Sequence, residues 1–277
     1  MLPELSEAAA EGDIARIYAE IRHTCAVPYV SSLQRHLATR PGWLEWVWAC
    51  VGPVFRSGEG PSRAWAAAQS LDLHPMPRIS GDALALLDVD DAALADIKNV
   101  LNSFIRVSPT NLICSGLVRR FILGERPHGP GFAHLPAWEP PPSTLPLPGL
   151  VDMQSISTHE RAVLMQLANE VAGQPFVPGL YRMLANWPGY LAHIATELGP
   201  RFTDAHTVNA CLTLLERIEA VVDDLITQMP AFPEQPPMPP ASQFDEVLSA
   251  IDSYRKTSPE MVVFCRLMRE ALPDPDA

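Results

Sequence analysis

PYVSSLQRHLATRPGWLEWVWACVGPVF (Pro28 to Phe55) lies over PFVPGLYRMLANWPGYLAHIATELGPRF (Pro175 to Phe202) at a shift of 147 without a gap, and 12 of the 28 positions are identical. Among the identities are Pro28/Pro175, Leu33/Leu180, Arg35/Arg182, Pro41/Pro188, Gly42/Gly189 and Phe55/Phe202. A second block, VLNSFIRVSPTNLICSGLVRR against AIDSYRKTSPEMVVFCRLMRE, matches at a shift of 150 through Ser103/Ser253, Phe104/Tyr254, Ser108/Ser258, Pro109/Pro259, Leu117/Leu267 and Arg119/Arg269. Two matched blocks in the same order, at nearly the same offset, are the mark of an internal repeat. The expected organisation is a first repeat over 1–125, a Pro-rich linker over 126–156 and a second repeat over 157–277.

Within each unit the apolar spacing is helical. Ile14, Ile17, Tyr18 and Ile21 recur three and four apart, as do Leu164, Leu167, Ala168 and Val171. Pro41 and Pro188 read as first-turn prolines. Ser108-Pro109 and Ser258-Pro259 read as a cap followed by a first-turn proline, opening the last helix of each repeat. No segment alternates β-branched and polar residues as a half-buried strand does. The predicted fold is all-α: two tandem helical repeats related by a pseudo-twofold axis, with a ligand pocket expected at their junction.

Composition narrows the function classes. The 277 residues are 47% apolar, enough for one large core or two small ones. With 32 acidic against 20 basic residues the net charge is −12, which disfavours a sequence-independent grip on nucleic acid or on an anionic membrane. No apolar run approaches the ~18–20 residues of a spanning helix. The opening MLPELSEAAAEGD has neither the basic nor the apolar region of a leader. Five widely spaced cysteines with no C-x-x-C point to reduced, buried thiols in a cytoplasmic protein, not to a disulfide frame or a zinc site. The 29 prolines are clustered: eight fall between Arg126 and Gly149 and six between Pro230 and Pro240, a second predicted loop.

Three segments carry a family likeness. Ile17 to Val30 (I-Y-x-x-I-R-x-T-x-x-V-P-Y-V), Leu37 to Leu44 (L-A-T-x-P-G-x-L) and Leu184 to Pro188 (L-A-N-W-P) resemble the group I, non-stereospecific 2-haloacid dehalogenases, and Val151-Asp152 resembles the start of that family's second repeat. The resemblance implies two all-α repeats joined by a long linker, pairing as a homodimer, and hydrolysis of the carbon–halogen bond of short 2-haloalkanoic acids. It also implies a water activated by one aspartate, with no covalent intermediate and no cofactor. The position matching that aspartate is Leu180, and the preceding serine is matched by Gly179. Tyr29 stands for a tryptophan of the family pocket, Ser32 for a phenylalanine, Ser108 for an asparagine and Asn111 for a tyrosine. An aliphatic side chain accepts no proton from water, so base catalysis of the family type has lost its base.

Other residues compete for a role. Arg35 and Arg182 match each other across the repeats, which suits packing or a salt bridge, while a carboxylate substrate would also want such a fork. His193 and Glu197 lie four apart on a predicted helix and break the repeat symmetry; His36 sits in the polar run Ser31, Ser32, Gln34, His36. His36 and His193 are therefore the candidate replacement bases, beside candidate binding residues Tyr29, Ser32, Ser108, Asn111, Gly179, Leu180 and Arg182. Asp223 and Asp224 read as a solvated surface. No dinucleotide, Walker, H-E-x-x-H or G-x-S-x-G motif occurs, so neither a cofactor nor a metal is expected. Three functions remain open on these grounds. One is an enzyme without the family base, in which a nucleophile within the substrate displaces the leaving group. The others are a hydrolytic dehalogenase with a relocated base and a non-catalytic binding relative.

Overall fold

The computed structural model describes residues 3–132, 138–171, 174–232, 234 and 236–274. Helices α1 (Gly12–Cys25), α2 (Ser32–Leu37), α3 (Trp43–Arg56), α4 (Glu59–Gln69), α5 (Gly81–Leu86) and α6 (Asp91–Ile122) fill the first half. In the second half are α7 (Thr158–Gln166), a hairpin of β1 (Asn169–Val171) and β2 (Gln174–Phe176), then α8 (Gly179–Leu184), α9 (Pro188–Leu198), α10 (Ala205–Gln228) and α11 (Phe244–Ala271). Among the described residues the protein is thus all-α apart from the antiparallel pair β1–β2, in which Asn169 faces Phe176.

Helix starts follow their capping chemistry. Asp90 and Asp204 accept from the backbone N–H three residues on and open α6 and α10, while Ser157 and Glu160 form a reciprocal capping box at α7. The helical spacing read from Leu164 to Val171 overruns: α7 stops at Gln166 and Val171 ends β1. Pro188 is a first-turn proline as expected, but α3 begins only at Trp43, with Gly42 at φ +80° before it. That left-handed turn suits a glycine.

The two Ser-Pro pairs need correction. Neither opens a helix; Pro109 lies inside the 32-residue α6 and Pro259 inside the 28-residue α11, both buried. An interior proline removes one helical N–H donor, so the carbonyls of Ile105 and Arg255 lose their helical partners. Ser258 instead donates its hydroxyl to the carbonyl of Tyr254 at 2.7 Å.

α6 and α11 pack along each other at the centre, and α4 and α10 cover α6. The buried side chains form one continuous cluster drawn from both halves. Arg255 of α11 is buried in it; its Nη1 donates to the carbonyl of Leu112 (2.7 Å) and to Ser115 Oγ (3.0 Å) on α6, and its Nη2 pairs with Glu219 of α10. The proline-rich stretch after Arg126 is held down at several points; residues 133–137 lie outside the described set, as do 1–2, 172–173, 233, 235 and 275–277. Asn99 donates to the carbonyls of Leu145 and Pro146, and Arg106 to those of Ala26 and Pro142.

Gly116 marks a close approach of α10 and α11 to α6. A Cβ there would sit 2.7 Å from Val222 Cγ2 and 3.0 Å from Arg255 Nη1. Gly116→Ala is expected to lower stability by about 1–3 kcal/mol, read as a reduced midpoint in urea unfolding. An unchanged midpoint would show that α6 and α10 separate freely at this point.

Candidate functional site

A pocket of about 60 Å³ opens between α6 and α11, beside the first turns of α2 and α8. One water-sized group needs ~10–15 Å³ on this measure, so the space suits a molecule of about four to six heavy atoms. The walls draw on both halves at positions the internal alignment pairs. Tyr29 with Phe176, Ser32 with Gly179, and Phe104 with Tyr254 all face the cavity. So do Ser108 with Ser258 and Asn111 with Met261, at the level of the two interior prolines.

The aromatic residues meet in two pairs. Tyr29 packs on Phe104 with centroids 5.7 Å apart, and Phe176 meets Tyr254 edge-on at 6.1 Å. Each pair holds one phenol, but in swapped order along the chain. The hydroxyl of Ser32 accepts from Arg35 Nη2 at 3.3 Å. The Arg35 guanidinium lies 5.4 Å from the centre of the Tyr29 ring and is paired with Glu4 at 2.6 Å. Tyr29, Ser32 and Tyr254 thus bring hydroxyls to the lining where their alignment partners Phe176, Gly179 and Phe104 contribute none. On another wall, Gln34 Nε2 donates to Asn111 Oδ1 at 3.1 Å, which leaves the Asn111 amide N–H groups as donors. Ser115 stands between the cavity and the buried Arg255.

Burial sets the protonation states. It pushes Tyr29 and Tyr254 upward, and the nearby Arg35 charge only partly opposes the shift, so both phenols stay neutral donors. Burial, with Arg119 and Arg120 nearby, brings Arg255 down to about 10, leaving it charged at neutral pH. The thiols rise for the same reason, Cys25 to about 11 and Cys114 to about 12, so neither supplies a thiolate nucleophile.

Five of the residues singled out from the sequence come together here: Tyr29, Ser32, Ser108, Asn111 and Gly179. Four do not. Leu180 is fully buried in the core, one position past the lining Gly179. The Arg182 side chain donates to the carbonyl of Val151 at 3.0 and 3.2 Å and so ties down the chain before α7. His36 is fully buried, its Nδ1 2.8 Å from the Pro3 carbonyl. His193 and Glu197 are half-buried on α9, away from the cavity. Asp223 and Asp224 are surface residues paired with Arg120 and Arg63. Among the described lining residues there is no aspartate, glutamate, histidine, lysine or arginine. Sequence reasoning missed Tyr254, Ser115 and Thr257. The signal for Tyr254 was its match to Phe104, a repeat position that gains a hydroxyl.

No family model matches the chain. A configuration-inverting 2-haloacid dehalogenase of Alcaligenes xylosoxydans xylosoxydans is 26% identical over 203 residues, 71% of this chain and 68% of that protein. Among solved structures, a D-2-haloacid dehalogenase mutant in complex with D-2-CPA has a TM-score of 0.77 at 19% identity, covering 98% of this chain and 96% of that one. A D-2-haloacid dehalogenase in complex with L-LA scores 0.75 at 20% identity, covering 98% and 97%. These structures share the fold of this chain.

All five tyrosines (Tyr18, Tyr29, Tyr181, Tyr190 and Tyr254) are raised by burial above the ordinary phenol value of about 10. The folded protein should show little phenolate absorbance at pH ~10, where the urea-unfolded chain is half ionised. The unfolded state loses its phenolic protons first. The tyrosine contribution to stability is therefore complete below pH ~10 and is lost as pH climbs through the folded values. A folded-state titration midpoint near 10 would contradict this.

Proposed function

We propose that this chain is a small-molecule enzyme of dehalogenase type that takes a short organic substrate bearing a leaving group and works without a carboxylate base. The observation that carries this reading is the lining: phenols, hydroxyls and an amide around an apolar cavity, with no acid or imidazole among the described residues. The sequence likeness to a configuration-inverting 2-haloacid dehalogenase and the fold shared with D-2-haloacid dehalogenases support it. Activation of water needs a group that accepts a proton near neutral pH, and a buried phenol does not.

Displacement from within the substrate needs no such group. In a 3-halocarboxylate one carboxylate oxygen, already ionised at neutral pH, bonds to the halogen-bearing carbon, the carbon–halogen bond breaks with its electron pair leaving as halide, and a lactone remains with no proton moved. Holding the two centres in line in a dry cavity is worth up to about 7–11 kcal/mol. A pseudo-twofold relation between the halves belongs to the same reading: a duplicated unit would place one pocket on the shared axis, and divergence of paired positions would give its ends unlike chemistry. A relocated histidine base draws no support from the positions of His36 and His193.

The test is halide release from D- and L-2-chloropropionate and from 3-chloropropionate. Halide and lactone are expected from the last alone; turnover of 2-chloropropionate by the unaltered protein would overturn the base-free reading. Leu180→Asp is expected to give no 2-chloropropionate turnover. It should also cost ~3 kcal/mol or more of stability, because the carboxylate would enter the core unpaired. Turnover in that variant would mean that the missing aspartate is the only defect.

A further inference from the structure

We infer that Glu4 and Glu7, in the segment before α1, are positioning residues of the pocket: they pin the α1–α2 turn and the Arg35 guanidinium, and through them fix the Tyr29 wall. The inference rests on the reading of that pocket as the reaction chamber and deepens it. A displacement within the substrate depends on how firmly the walls hold its two centres in line.

Glu7 acts as a staple. One of its carboxylate oxygens accepts from Arg22, near the end of α1, at 2.5 Å, and the other accepts the backbone N–H of Val30 at 2.9 Å. Val30 is fully buried, follows the lining Tyr29 and lies between α1 and α2, so its N–H has no helical acceptor. A buried N–H in that position needs a partner from elsewhere in the chain. Glu4 works on the other side of the same wall. It pairs with Arg35 at 2.6 Å, and the Arg35 guanidinium lies 5.4 Å from the centre of the Tyr29 ring. The Arg35 side chain is only 11% exposed and needs a counter-charge; Glu4 supplies it and so fixes where the cation meets the ring.

Backbone contacts lay the same segment down. Leu5 donates its N–H to the Arg35 carbonyl at 2.9 Å, Tyr18 Oη donates to the Leu5 carbonyl at 3.1 Å, and the Pro3 carbonyl meets His36 Nδ1 at 2.8 Å. The other half docks a segment in the same way. Val151 donates its N–H to the carbonyl of Arg182, the alignment partner of Arg35, at 3.2 Å. Counted from that bond, Leu150 and Met153 stand where Glu4 and Glu7 do, and both pack on the apolar core. Docking therefore does not require carboxylates at these two places. They occur on the side where the wall is a phenol, Tyr29, and not on the side of its partner Phe176.

The test combines amide hydrogen exchange by NMR with steady-state kinetics on 3-chloropropionate, using the full-length protein, Glu7→Ala, Glu7→Gln and Glu4→Gln. The Val30 amide should be protected in the unaltered protein. In Glu7→Ala it should exchange on the order of tenfold faster, and in Glu7→Gln, whose side-chain oxygen still accepts, it should stay protected. Leu214 of α10, buried in the core, should change less than Val30. Equal acceleration of both amides, or an unprotected Val30 amide in the unaltered protein, would overturn the staple. Glu7→Ala and Glu4→Gln should lower kcat on the order of tenfold with KM within about twofold, and Glu7→Gln should restore most of kcat. Unchanged kcat in Glu7→Ala and Glu4→Gln would overturn the positioning role. If the unaltered protein releases no halide from 3-chloropropionate, the base-free reading falls by itself. The wall is then read from the fluorine NMR shift of 3-fluorotyrosine at position 29, which must move further in Glu7→Ala than in Glu7→Gln; equal shifts overturn the inference. Circular dichroism establishes that the variants fold, and Glu4→Gln tests the wall if Glu7→Ala does not.

Discussion

A single buried guanidinium fixes how the two long helices meet. Arg255 crosses from α11 to a backbone carbonyl and a serine of α6, and Glu219 of α10 closes the pair. A cation in such a place is tolerable only when it is paired and hydrogen-bonded, as Arg255 is through these three contacts. The contact therefore holds for one register between the helices and not for a neighbouring one. That register sets Pro109 and Pro259 at the level of one cavity, with Ser108 and Ser258 lining it. An apolar residue in place of Arg255 would fill the space but leave Glu219 without its closest partner.

The segment joining the halves reinforces this arrangement. Asn99 and Arg106 of α6 bind its backbone, Gly129 donates to the Met229 carbonyl, and Arg182 holds Val151. Prolines suit the task because they leave carbonyls free as acceptors while asking for few donors in return. The chain between the halves is thus part of the packing around the pocket.

What was legible in the sequence came from two sources: the all-α class from apolar spacing, and the five pocket residues from the family likeness. The Ser-Pro pairs misled because a proline after serine reads locally as a helix start. Only the buried contacts of α6 and α11 hold each helix together across a lost hydrogen bond, and those contacts are distant in sequence. The hairpin escaped notice because its strands have three residues each, too few for an alternation to show. Leu180 follows the lining Gly179, and successive helix residues point about 100° apart, so its side chain enters the core. Arg182 and His36 are held by backbone carbonyls, of Val151 and Pro3, that are distant in sequence. Tyr254 was passed over because the family likeness rested on other segments, though its repeat match to Phe104 was in view.

The pairing of α6 with α11 also governs when the protein can become itself. The buried face of α6 is complete once residue 122 has been made, yet its principal partner spans 244–271. During synthesis that apolar face waits for more than a hundred residues, so assembly is dominated by contacts between distant parts of the chain. Such topologies form slowly and leave sticky surface uncovered in the interval. A chain stopped anywhere before α11 therefore keeps the α11-facing side of α6 uncovered, with only α4 and α10 to cover the rest.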